Sequence, residues 1–201
     1  MVKQTYYNLP ILKKERIIKA IIKEIDGKSY DEISINQIVK NANISRGSFY
    51  QYFDDKWDIF SVVLQGFSEE LNKICINSLI ENNGDIFKTG ETVFDYVANT
   101  SESTMYSPAF KTIFSYASTN LEFFRAKDHC GNHLLDKFKA FINREMFNIN
   151  NENDLDCMFD VVASILSRQW FEIFVLKKKR EEVKNHLVNM FLLVKNGFLR
   201  R

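Results

Sequence analysis

The stretch ISRGSFYQYFDDKWDIF, Ile44 to Phe60, sets six aromatic rings among Arg46, Gly47, Ser48, Gln51, Asp54, Asp55, Lys56 and Asp58. A core segment would be less polar, and a solvated loop would carry fewer rings. Wound at roughly 100° per residue, Arg46 to Phe53 becomes a two-faced helix. Phe49 and Phe53 fall at i, i+4 on one side with Tyr52 beside them, and Gly47, Ser48, Tyr50 and Gln51 point the other way. The inner rings dock the helix, and the outer side carries hydrogen-bonding groups and one flat ring.

The residues just before it read as a second short helix. In SINQIVKNA, Ile35, Ile38, Val39 and Ala42 fall at i, i+3, i+4 and i+7, and Ser34 with Gln37 has capping-box spacing. Asn43 tolerates a left-handed backbone, and Ser45 offers a fresh N-cap. Further back, ILKKERIIKAIIKEIDGKS places Ile17, Ile18, Ile21, Ile22 and Ile25 on one stripe, with Pro10 suited to its first turn and Gly27 to its end. Downstream, Asp54 or Asp55 caps a long helix that the Asn82–Asn83–Gly84 stretch stops.

Two short helices joined by a tight turn, the second with a polar outer face, describe a helix-turn-helix, whose second helix enters the DNA major groove. The residue types suit that task. Arg46 and Gln51 can read base edges by paired hydrogen bonds, and the Ser48 hydroxyl can reach a base or a phosphate. Gly47 lets the backbone come close. The Tyr50 hydroxyl suits a phosphate, as does Lys56 with the following helix N-terminus. Residues 1–28 hold seven cations against three anions, which fits a nucleic-acid surface and equally fits an ordinary solvated helix face.

The whole chain of 201 residues has a formal net charge of only +1, so any such surface is local. Seven glycines and two prolines favour long helices over a turn-rich sheet protein. No apolar run is long enough to cross a bilayer, and the opening MVKQTYYNLP lacks the apolar segment of a signal peptide. Three widely spaced cysteines fit a reducing compartment, so the expected location is the cytoplasm.

The segment SINQIVKNANISRGSFYQYFDDKWDIF resembles the helix-turn-helix signature of the TetR family of bacterial transcriptional regulators. The resemblance runs through Ser34, Ile38, Val39, Ala42, Ile44, Ser45, Gly47, Ser48, Phe49, Tyr50, Tyr52, Phe53 and Lys56, with Val39 where Ala is usual and Asn43 where Gly is usual. It implies an all-α chain, with an N-terminal three-helix DNA-binding domain over 1–55 and a larger helical effector-binding and dimerisation domain over 56–201. It also implies a homodimer on a palindromic double-stranded operator, most often as a repressor released by a small molecule. By the same resemblance the DNA-contact candidates are Ser34, Arg46, Gly47, Ser48, Tyr50, Gln51, Tyr52 and Lys56. Packing is an equal reading for Tyr52. The long helix leaving the DNA-binding head is the expected lever.

Five further helical pieces are predicted, over about 86–99, after Pro108, and over about 120–147, 155–178 and 181–198. The last two are apolar on more than one face. Val162, Ile165, Leu166 and Ile173 on one, and Leu187, Met190, Phe191 and Val194 on the other, are the expected dimer interface; the same residues would also close the chain's own core. The ring-rich middle offers Tyr96, Phe110, Phe114 and Tyr116, with His133, Trp170 and Phe174, as candidate walls of an effector pocket. His129 and His133 have zinc-ligand spacing, which would make a metal-dependent hydrolase. No glutamate lies between them, and no nucleophile elbow or phosphate loop appears, so no metal, cofactor or catalytic residue is expected. The alternative within the same fold is a DNA-binding protein without an inducer, controlled by a partner or nucleoid-associated.

Overall fold

The computed structural model describes residues 2–99, 106–119 and 138–198. Every regular element among them is helical: α1 (Gln4–Tyr7), α2 (Ile11–Ile25), α3 (Ile35–Ala42), α4 (Arg46–Tyr52), α5 (Lys56–Glu81), α6 (Ile86–Ala98), α7 (Ser107–Thr119), α8 (Glu152–Phe174) and α9 (Arg180–Phe198), with one 3-10 turn at Arg144–Met146. No helix among the described residues is long and apolar enough to cross a membrane. Residues 1–68 with 101–119 make one compact unit, and residues 69–100 with 120–201 make the other.

In the first unit the isoleucine stripe of α2 forms the floor. Ile17, Ile21 and Ile25 are fully buried, as are Ile38 and Ala42 of α3, Phe49 of α4, Phe53, and Ile59 and Val63 of α5. The caps fix where each short helix starts. Ser34 Oγ accepts from the Gln37 amide at 3.4 Å, and Ser45 Oγ accepts from the Ser48 amide at 3.0 Å. Only half of the expected capping box at Ser34 forms. The Ser34 amide donates to the buried Glu24 carboxylate of α2 at 3.0 Å, so a tertiary partner takes the place of Gln37. Asn43 closes α3 at φ 50°, ψ 54°. Asp55 caps α5 by accepting from the amides of Trp57 at 2.8 Å and Asp58 at 3.1 Å, while Asp58 accepts from the Asp54 amide at 2.7 Å.

The sequence reading foresees neither α1 nor that α7, the helix predicted after Pro108, belongs to this unit. The four residues of α1 form a helical turn before Pro10. The ring-bearing α7 also belongs here: Phe110 stacks on Phe67 with centroids 4.0 Å apart, and Tyr116 stacks on Tyr30 at 5.3 Å.

The second unit contains the later part of α5, with α6, α8 and α9. Asp85 caps α6 by accepting from the amides of Phe87 at 3.0 Å and Lys88 at 3.3 Å, and it also pairs with Lys195 of α9. Asp95 near the other end of α6 pairs with Arg180 at 2.8 Å and Lys184 at 2.5 Å, so α9 is held to α6 at both ends. The predicted helix over 120–147 lies mostly outside the described residues. It does not run on to Phe147: helix ends at Lys139, and Asn143 turns the chain by donating its amide to the Gly84 carbonyl at 3.1 Å and capping the 3-10 turn.

Candidate nucleic-acid interface

Helix α4 is seven residues long, too short to hold itself in water, so its shape comes from what it packs on. Phe49 and Phe53 lie 5.1 Å apart between ring centroids, and Tyr6 of α1 meets Phe53 at the same distance. Burial pushes the Tyr6 phenol well above its usual pKa, keeping it neutral. With its inner side fixed, α4 turns Arg46, Gly47, Tyr50 and Gln51 to solvent, with Ser48 half-buried. A Cβ placed on Gly47 would meet only Ser45 Oγ, at 3.7 Å, so the backbone there is open to an approaching surface.

The Arg46 guanidinium spans the two helices of the motif. Nη1 donates to Asn36 Oδ1 of α3 at 2.5 Å, Nη2 approaches the Tyr50 hydroxyl at 3.4 Å, and the group lies 5.7 Å from the Tyr50 ring centroid. These contacts hold a planar fork of donors on the outer face.

The C-terminal end of α4 is capped from far away in the chain. Its last four carbonyls lack intrahelical partners unless something supplies them. Phe53 N donates to Phe49 O at 2.9 Å, Lys3 Nζ to Tyr50 O at 2.7 Å, Thr5 Oγ1 to Gln51 O, and Lys3 N to Tyr52 O at 2.9 Å. All four are satisfied, three of them by the N-terminal segment. Lys3 also pairs with Asp54 at 2.7 Å, and that contact holds the Asp54 carboxyl below the usual carboxylate range.

The remaining DNA-contact candidates take other places. Tyr52 is buried, with Lys13 Nζ 5.5 Å from its ring centroid. Lys56 Nζ donates to the carbonyls of Tyr30 and Asp31, both at 3.1 Å, and lies over the Tyr30 ring, so its ammonium pins the 30–31 turn to the start of α5. Ser34 is half-buried in its capping role.

Of the candidate pocket residues, Phe110, Phe114 and Tyr116 belong to the first unit. Trp170 instead lines a cavity of about 310 Å³ inside the second unit, walled by α5, α6 and α8 together with Phe138. Phe174 is buried in that unit, Tyr96 donates to Glu70 at 3.2 Å, and His133 lies outside the described residues, as does His129. Among the described residues no cluster of His, Cys, Asp or Glu is placed to hold a metal. Gly90 on the cavity wall gave no signal in the sequence, because a missing side chain has no pattern.

Of the expected interface residues, Val162, Ile165, Leu166, Leu187 and Phe191 are buried within the chain's own second unit, while Ile173, Met190 and Val194 are half-buried. Among its described side chains, the apolar ones that α9 leaves in solvent are Val188, Leu192 and Leu193, at 36%, 58% and 74% exposure. The apolar periodicity of α9 was legible, but the face that the core takes first was not.

A helix-turn-helix head joined to a helical second unit defines a transcriptional regulator, and comparison with known proteins agrees. Residues 17–63 match the bacterial regulatory proteins of the tetR family, and residues 85–198 match the tetracyclin repressor-like C-terminal domain. The chain belongs to the TetR family of transcriptional regulators. It is 30% identical over 91 residues to the uncharacterized HTH-type transcriptional regulator YdgC of Bacillus subtilis (strain 168), a match covering 42% of this chain and 47% of that one. It is 27% identical over 89 residues to the biofilm operon icaADBC HTH-type negative transcriptional regulator IcaR of Staphylococcus aureus (strain Newman), covering 44% and 48%. The match thus spans about half the length of these curated relatives. A regulator crystal structure from Mesorhizobium loti MAFF303099 superposes with a TM-score of 0.60 at 17% identity over 94% of this chain and 98% of that one, which shows the shared fold.

The clasp on α4 makes a prediction. Thr5→Val removes the Gln51 carbonyl's donor and changes no charge. One net hydrogen bond is worth about 0.5–1.5 kcal/mol, so operator affinity is expected to fall roughly threefold to tenfold. The slope of log affinity against log salt should stay at the wild-type value, because the change removes no cation. Unchanged operator affinity would mean that the Gln51 carbonyl does not need its donor and that Thr5 is not a positioning residue.

Proposed function

We propose that the chain acts as a homodimeric repressor that reads a palindromic operator through α4 and is released by a small molecule bound in the second unit. The observation that carries this reading is the outer face of α4: Arg46, Gly47, Tyr50 and Gln51 are exposed while Phe49 and Phe53 behind them are fully buried. Arg46 and Gln51 read base edges, Tyr50 and Ser48 reach phosphates, and Gly47 admits close backbone approach. Tyr52 and Lys56 are left out of that surface and serve the fold. A two-fold operator needs two recognition helices about one DNA turn, ~34 Å, apart, which a dimer supplies. The exposed Val188, Leu192 and Leu193 on α9 support self-association through that helix. IcaR's description as a negative regulator supports the sign of the effect.

The cavity in the second unit favours effector control over the alternative of a purely partner-controlled DNA-binding protein, for which a filled core is expected. Binding at that cavity shifts the population towards dimers whose recognition helices no longer match the operator spacing.

The direct test is selection of bound sequences from random DNA by the wild type and by Gln51→Ala, at one fixed salt concentration. Loss of a paired base contact is expected to weaken the best site by about 1–3 kcal/mol and to relax preference at one position in each half-site. Identical affinity and preference in the two proteins would remove α4 from the groove.

A further inference from the structure

The cavity of the second unit has a chemistry of its own. Among the described residues that line it there is no charged side chain; the walls include Cys75 and Leu79 of α5, Val93 of α6, and Phe159 and Trp170 of α8. Two hydroxyls interrupt the apolar lining, those of the exposed Ser167 and of Thr89, which is only 4% exposed. Thr89 Oγ1 is itself out of reach of a water-sized molecule, so the wall that a guest meets is overwhelmingly apolar. Burial also pushes the Cys75 thiol up to about 11, the response of a group in surroundings that disfavour charge. An ionised ligand entering such a site would lose its hydration and gain no counter-charge. Size sets the other limit. At the ~30 Å³ that a water molecule takes up in the liquid, the space corresponds to roughly ten non-hydrogen atoms.

We propose that this cavity takes a neutral, mostly apolar small molecule of roughly ten non-hydrogen atoms. The proposal rests on the reading of the second unit as effector-binding, and names the class of effector. The same wall offers a route outward. A Cβ placed on Gly90 would stand 2.7 Å from Phe191 Cε2 and 3.3 Å from Val162 Cγ1, so the bare backbone of α6 seats α9 directly against the cavity lining. A guest that displaces α6 there displaces the Phe191 ring and with it the helix that carries Val188 and Leu192.

Calorimetric titration of the full chain with octan-1-ol, octanoate and octylammonium tests the class, since the three share one tail and differ in head charge. Octan-1-ol is expected to bind at one site per protomer, with both charged probes at least about tenfold weaker. Ala163→Leu, which fills the cavity, should abolish binding. Equal binding of a charged probe, no binding of the alcohol, or alcohol affinity unchanged in Ala163→Leu would overturn the proposal. Operator affinity measured with octan-1-ol present separates the two readings. If the alcohol binds in the expected order and the operator is held as tightly as before, the ligand class stands and release by an effector is what fails.

Discussion

Phe49→Ala is expected to lower the stability of the first unit by about 3–5 kcal/mol and to abolish operator binding at temperatures where the wild-type chain is folded. The ring is fully buried, 5.1 Å from Phe53 and 5.4 Å from Tyr50 between centroids. Truncation removes its transfer free energy and leaves a void among neighbours that are themselves anchored, so collapse into the gap is limited. A seven-residue helix gains little from its own hydrogen bonds, and its intrinsic tendency cannot make up the loss. A total stability of ~5–15 kcal/mol is typical of a domain, so this one change removes a large share of it. Urea unfolding followed by circular dichroism measures the first effect and a gel-shift titration the second. Gln51→Ala is the control, an exposed neighbour in the same helix whose stability should stay within about 0.5 kcal/mol of wild type. A Phe49→Ala protein that unfolds within ~1 kcal/mol of wild type would show that α4 is held by something other than its Phe anchor.

How much of this could be read beforehand depends on the distance over which each contact acts. The α3–α4 motif was legible because its determinants are local: Ser34 and Ser45 cap within three residues, Asn43 closes the turn, and Phe49 and Phe53 are one helical turn apart. The clasp on α4 was not legible, since Lys3 and Thr5 meet carbonyls 47 and 46 positions away and nothing in KQTYY announces a cap for another helix. Lys56 shows the same limit from the other side, since nothing in the sequence announces the two carbonyls of the 30–31 turn that accept from its ammonium. In the second half of the chain, ring content showed that cores exist and not which rings share one. Phe110 and Tyr116 joined the first unit and Trp170 the second, because α7 packs beside α2 after a sequence separation that no helical period encodes.

Gly84→Ala is the sharper test of the second unit, because two penalties meet at one atom. The Asn82–Asn83–Gly84 stretch does stop α5, as its composition implies: Gly84 N donates to Leu79 O at 2.7 Å, with Gly84 at φ 79° and Asn83 at φ 54°. A left-handed backbone disfavours alanine by about 1–2 kcal/mol. The second penalty is tertiary. The new Cβ would stand 2.7 Å from Asn143 Cβ and 2.8 Å from Phe141 O, and closer still to the Asn143 amide nitrogen, so backbone rather than a flexible side-chain end has to move. Overpacking of that kind adds about 1–3 kcal/mol, which brings the expected loss to roughly 2–5 kcal/mol. Gly27→Ala separates the two contributions. Gly27 has nearly the same φ, 71°, and nothing within 4 Å of its would-be Cβ, so it should show the backbone penalty alone, about 1–2 kcal/mol. Leu79 before the turn and Ile86 after it both line the cavity, so displacing the turn is also expected to weaken octan-1-ol binding while Gly27→Ala leaves it intact. Paired urea titrations of the two variants measure the difference. Equal losses would mean that the 141–143 segment yields freely, and that its hydrogen bond to Gly84 does not hold the end of α5 in place.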